Sequence, residues 1–163
     1  FIFVAIFLGY SLGSAPIISF HYGAGNHDEL KNMRKKSLRL IAVWGIGMTI
    51  ISHIFALPFA RFFVGYDSEL LAMTIHGFRI YAFVYLLNGF NIFGSSFFTA
   101  LNNGMVSATI SFLRTLVFEV ICILLLPVFF GIDGIWSAVL VAEALALCVT
   151  SFFLITKRSR YHY

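Results

Sequence analysis

The chain has 163 residues, of which 60% are hydrophobic and only 11% charged, with a mean hydropathy of +0.93. A water-soluble domain carries about 45–50% apolar and about 25% charged residues, and a chain this short has no interior able to hide the excess. A soluble enzyme, a disordered tail and a nucleic-acid-binding domain are excluded, and the natural solvent is lipid. The net charge of +4 does not point to nucleic acid, because eight of the eleven Lys and Arg lie in two stretches beside apolar runs: Lys31, Arg34, Lys35, Lys36, Arg39, then Lys157, Arg158, Arg160. That is the footprint of cytoplasmic loops.

A membrane-crossing helix needs about 20 mostly apolar residues. Residues 1–20 supply the first span; they lack the basic leader and the small-residue cleavage site of a signal peptide. Gly9 and Gly13 form a small-xxx-small pair suited to close helix packing, and Pro16 removes a ladder hydrogen bond, so it is a candidate bend. A loop over 21–39 follows. In Tyr22-Gly23-Ala24-Gly25-Asn26 two glycines let the chain turn, and Asn26 with Glu29 reads as a variant capping box. Leu30, Met33, Ser37 and Ile41 recur near the helical period and predict a short interfacial helix feeding the second span, 40–60. His53, in the middle of that span, suits hydrogen-bonded packing or, less simply, proton relay.

The next apolar run is too long for one crossing. Leu101-Asn102-Asn103-Gly104 is a turn signal that divides it into spans over 77–99 and 105–130. Gly131-Ile132-Asp133-Gly134 is a second turn, and the fifth span covers 134–156, followed by the tail 157–163. Pro58 and Pro127 lie near span ends and read as terminators. His76 and Arg79 sit at the outer mouth of the third span. The runs are too long for barrel strands and show no alternation. The expected fold is an all-α membrane protein with five transmembrane helices. With the N-terminus outside, loop 21–39 and the tail carry the basic residues on the cytoplasmic side, and the outer loops hold only Arg61. An odd number of spans and a start at Phe1 suggest the C-terminal piece of a longer multi-pass protein of the cell membrane. Cys122 and Cys148 lie inside spans with no ligand spacing and read as small packing residues; no metal, cofactor or catalytic constellation is expected.

Polar groups stranded in lipid are the most informative residues, because a charge at mid-helix costs roughly 2.5–3.5 kcal/mol on insertion scales. Antiparallel pairing about the two turns brings Asn88, Glu119 and Glu143 to neighbouring depths near mid-span, with Asn91 at the depth of Arg114, about one turn towards the cytoplasm. Glu119 and Glu143 differ in depth by roughly 5 Å at the helical rise. Five positions apart on an α-helix, Arg114 and Glu119 are about 140° around the axis and make a poor direct pair. A desolvated carboxylate in such a layer can hold a proton or attract a cation; the plainer role is to satisfy neighbouring polar groups and fix packing.

The sequence also resembles a known family. Ala15-Pro16-Ile17-Ile18-Ser19 leading into Tyr22-Gly23-Ala24-Gly25-Asn26 and a basic loop is similar to the end of the eighth helix in multidrug and toxic compound extrusion (MATE) transporters. Ser96-Phe97-Phe98-Thr99-Ala100-Leu101-Asn102-Asn103-Gly104, Arg114 and Gly131-Ile132-Asp133-Gly134-Ile135-Trp136 resemble later family landmarks in the same order. The resemblance implies helices eight to twelve of a twelve-helix, two-lobe antiporter that exchanges protons or sodium for cationic, amphipathic compounds. This chain would supply most of one six-helix lobe, and its partners would be membrane lipid and the missing N-terminal lobe. Some members carry a coupling carboxylate in the tenth helix, where this chain has Tyr85-Leu86-Leu87-Asn88-Gly89-Phe90-Asn91 and none. That departure shifts a coupling role to Glu119 or to the absent lobe. Two rivals stand beside this expectation: a lipid-linked oligosaccharide flippase of the same superfamily, and a non-transporting membrane subunit.

Overall fold

The computed structural model describes residues 2–163; Phe1, the first residue of the expected first span, lies outside them. The described residues form seven α-helices and one π-helical segment, with no strand among them. Helix α1 covers Ile2–Gly23. It continues as one helix through Pro16. Among the described residues nothing packs against the Gly9/Gly13 pair, since a Cβ at either position would meet nothing within 4 Å.

The motif Tyr22–Asn26 is a stop followed at once by a start. Gly25 adopts a left-handed φ of 66°, which glycine reaches without steric cost. The Asn26 N–H then bonds back to the His21 carbonyl at 2.9 Å and the Gly25 N–H to Tyr22 at 3.1 Å, the two bonds of a Schellman cap. Asn26 next accepts the Glu29 N–H at 3.2 Å as N-cap of α2, His27–Val64. Only this half of the capping box forms, because the Glu29 carboxylate accepts from Asn32 instead.

The expected interfacial helix is the opening of α2 rather than a separate element. Leu30, Ser37, Ile41, Met48, Ala56 and Ala60 bury one stripe along a helix that continues without a break to Val64. Pro58 lies within this helix, which continues to Val64. The third rod begins at Ser68, well before the expected residue 77. Asp67 caps it by accepting the N–H groups of Glu69 and Leu70, a start signal hidden by the polar residues around it. This rod is two helices, α3 (Ser68–Ala82) and α4 (Tyr85–Ala100), bent by 44° at Phe83–Val84.

Helix α4 is the centre of the bundle, packed by α1 and α2 and by the two later helices. Phe93, Phe97 and Phe98 on it are fully buried. Its end repeats the device of the first loop. Asn102 takes a left-handed φ of 57°, the Asn103 N–H reaches the Phe98 carbonyl at 2.8 Å, and Asn103 then caps the next helix through Val106.

Helix α5 covers Gly104–Phe112, the π-helical segment Leu113–Phe118, and α6 Glu119–Thr156. Gly131, with φ 57° and ψ −132°, breaks the helical path inside α6. The chain reverses there: on one straight helix Arg114 and Glu143 would be about 43 Å apart at 1.5 Å per residue, yet their side chains touch at 2.8 Å. Pro127, expected to end its span, lies inside α6, which continues past it to the break at Gly131. Trp136 lies against Gly77 of α3, and His76 bonds Asp133 at 2.8 Å, so the turn docks on α3. A last short helix, α7 (Arg158–Tyr161), folds the tail back and leaves Tyr163 fully buried. Large side chains such as Phe62, Phe129 and Ile155 are exposed. Outward apolar faces of this kind suit an all-α membrane bundle.

Candidate functional site

Four of the five polar residues expected near mid-span meet around the Glu143 carboxylate. Glu143, on the second arm of α6, is 4% exposed. The Arg114 Nε and Nη2 groups donate to its Oε1 at 2.9 and 2.8 Å. Asn88 Nδ2 donates to the same oxygen at 3.0 Å, and Asn91 Nδ2 donates to Oε2 at 2.7 Å. Asn91 also reaches the Glu143 main-chain carbonyl at 2.9 Å and accepts from the Thr150 hydroxyl at 2.9 Å. The carboxylate, an acceptor only, fixes which end of the Asn91 amide faces it, and the Thr150 hydroxyl donates to the other end. Every group facing Glu143 is thus a donor, and the carboxylate acts only as an acceptor.

The backbone makes this meeting possible in two ways. Asn88 and Asn91 are three apart on α4 and share a face, next to the Thr150 stretch of α6, because Gly94 lets the two helices approach there until the Thr150 methyl lies over it. Arg114 lies in the π-helical segment, where the Glu119 N–H bonds to the Arg114 carbonyl. An i→i+5 bond stacks Glu119 one wide turn above Arg114, so the 140° separation expected for an α-helix does not hold. Their charged groups nevertheless make no pair. Glu119 is half-buried and has no hydrogen-bond or ion-pair partner among the described residues. It stands outside the cluster, contrary to a layer in which all five residues take part.

Two features of the cluster were not visible in the sequence. Thr150 is one, because a buried threonine in an apolar run carries no signal of its own. The other is a groove of about 300 Å³ between α1, α4 and α5, lined by Ser11, Ser95, Ser96, Thr99 and Ser111 with Arg114 at its wall. The Ser95 hydroxyl bonds those of Ser107 and Ser111 at 2.9 and 2.8 Å, whereas the buried Ser11 hydroxyl has no partner. Ionic and hydroxyl groups therefore adjoin in one place in an otherwise apolar bundle. His53 bonds the Thr49 carbonyl at 2.8 Å and lies edge-on to Phe83, which is the packing role. Cys122 is buried as expected, but Cys148 is exposed. Of the motif loop, Pro16 and Gly23 lie in helix, Gly25 and Asn26 form the turn, and Tyr22 packs edge-on against Tyr161 of the tail.

A bundle of long apolar helices with a buried ionic centre beside a groove that carries several hydroxyl groups belongs to the polytopic membrane proteins, among which transporters are built this way. The family MatE matches residues 1–125, and the chain belongs to that family of transporters. Two crystal structures of the Vibrio cholerae MATE transporter VcmN share its fold: the bent form, with a TM-score of 0.85, and an aspartate-to-asparagine mutant, with a TM-score of 0.89. Each is 21% identical and covers 99% of this chain, which spans 37% of the transporter chain. No curated protein matches the sequence.

Proposed function

We propose that this chain forms most of one lobe of a secondary active antiporter that exports cationic, amphipathic compounds, drugs among them, in exchange for protons or sodium. The five spans, the cytoplasmic placement of loop 21–39 and of the tail, and residence in a bacterial inner membrane belong to the same proposal. The observation that carries it is the Arg114–Glu143 pair held by Asn88 and Asn91 beside the groove. A buried ionic centre in lipid costs several kcal/mol and persists where the surrounding structure or the function demands it.

The two carboxylates divide the work. Glu143 is fully engaged and anchors α4, the π-helical segment and α6 to one another. Glu119, one turn from Arg114 and without a partner, is the group in this lobe available to bind or release a proton. Because Glu143 offsets the charge of Arg114, the groove does not have the cationic character that a lipid-linked oligosaccharide flippase calls for. A non-transporting subunit would not require the ionisable centre.

The test is ethidium accumulation in inside-out vesicles holding the full-length protein, where export from the cytoplasmic face fills the lumen, with the pH gradient and the sodium gradient collapsed separately. Ethidium export should stop with one of them, and Glu119→Gln should flatten its pH dependence. Export that survives collapse of both gradients would overturn the antiporter assignment.

A further inference from the structure

Where the tail meets the first loop, five basic side chains converge with little to neutralise them. Lys31, Arg158 and His162 line a cavity of about 480 Å³ that is completed by Ile155, Ser159 and Tyr163. Arg34 stands over the Tyr163 ring at 5.0 Å, and its buried Nε has no hydrogen-bond partner. The His27 ring lies 5.1 Å from that of His162, and its buried Nδ1 is likewise without a partner.

Of the acidic side chains nearby, one offsets part of the Lys31 charge and the other is engaged elsewhere. Asp28 meets Lys31 at 3.6 Å from an almost wholly exposed position, and Glu29 accepts from Asn32. No carboxylate side chain among the described residues forms an ion pair with Arg34 or Arg158. Arg158 donates its Nε to the main-chain oxygen of Tyr163 at 3.2 Å, while Arg34 has only the face of an aromatic ring. Burial and the like charge of Arg158 push the Arg34 guanidinium below its ordinary value, a penalty that a bound anion would relieve.

We infer that this cavity binds the phosphate headgroup of an anionic phospholipid. The cationic groups are the receptor for phosphate, in the manner of basic pockets at membrane interfaces. The choice of lipid over free phosphate comes from Ile155 on the cavity wall, 73% exposed, and Phe152 one turn before it, 60% exposed. Together they make an apolar rail that leads from the phosphate site along α6, where an acyl chain would lie. The bound lipid would tie the tail to the opening turns of α2.

The experiment uses delipidated full-length protein in neutral detergent, titrated with phosphatidylglycerol, phosphatidylcholine or inorganic phosphate and read by native mass spectrometry. Phosphatidylglycerol should bind more tightly than phosphatidylcholine. Lys31→Gln and Arg34→Gln should each weaken it about fivefold, the worth of one basic residue at a membrane surface. Arg39→Gln, an exposed change elsewhere on α2, should leave it unchanged. Lys31→Gln leaves the Tyr163 contacts intact and so reads the site even if Arg34→Gln disturbs the tail. Equal affinity for the two lipids, unchanged affinity in Lys31→Gln, or inorganic phosphate competing at the same concentration as phosphatidylglycerol would each overturn the assignment.

Discussion

Removing the Glu143 carboxylate is the sharpest test of the polar centre. In Glu143→Ala, Arg114 loses both of its short contacts, and Asn88 and Asn91 lose one acceptor each. Leaving one partner of a buried ion pair alone costs about 3–5 kcal/mol. The Arg114 side chain keeps 22% exposure, which lets water soften the loss to about 2 kcal/mol. The two amide bonds add about 0.6 kcal/mol each, the average for such bonds in a bilayer protein. The expected total is about 3 kcal/mol, seen as a lower unfolding temperature of the full-length protein in detergent. The double variant Arg114→Met/Glu143→Ala removes the stranded cation and should be more stable than Glu143→Ala alone. If Glu143→Ala unfolds at the wild-type temperature, or if the double variant is the less stable of the two, the ion pair does not hold this bundle together.

Other outcomes follow from the same contacts. Asn91→Leu should cost more than Asn88→Leu in the same assay, by about 1 kcal/mol, because Asn91 makes three bonds while the Asn88 Oδ1 is already without a partner. Gly45→Val should block the approach of α2 to α4, since a Cβ there would lie 2.8 Å from the Tyr85 carbonyl oxygen; overpacking of this kind costs about 1–3 kcal/mol and should lower the yield of folded protein. Gly131→Ala should strain the hairpin by about 1–3 kcal/mol, because its φ of 57° with ψ −132° suits glycine alone, and limited proteolysis should then cut near residue 131. Burial pushes the Tyr163 phenol up to about 12, against the opposing charge of Arg34. The folded value lies above the unfolded one, so docking of the tail is at full strength below about pH 10 and weakens as pH rises from there through about 12; a phenolate absorbance titration should show a step near pH 12 that Tyr163→Phe removes.

Much of the molecule was legible from local chemistry. A run of apolar residues has one way to satisfy its backbone in lipid, which is to be helical, so the rods over 2–23 and 104–156 follow from composition alone. The turns at Gly25-Asn26, Asn102-Asn103 and Gly131 were readable because left-handed residues and caps are local requirements. The start at Ser68 was not, since Asp67 and Glu69 stand among polar residues that make a cap look like loop. Depth was legible in part: counting from the turns brought Asn88 and Glu143 to neighbouring levels near mid-span, with Asn91 and Arg114 about one turn away. Rotation about each axis was not. The i→i+5 bonding of the π-helical segment turns everything beyond it by a fraction of a helical turn, and no residue in Leu113–Phe118 announces it. That turn, together with the close passage of α6 over Gly94, decides that Arg114 reaches Glu143 while Glu119 is left without a partner. Composition and turn chemistry set the rods and their heights; only the packed bundle, through contacts between residues far apart in the chain, sets which faces meet.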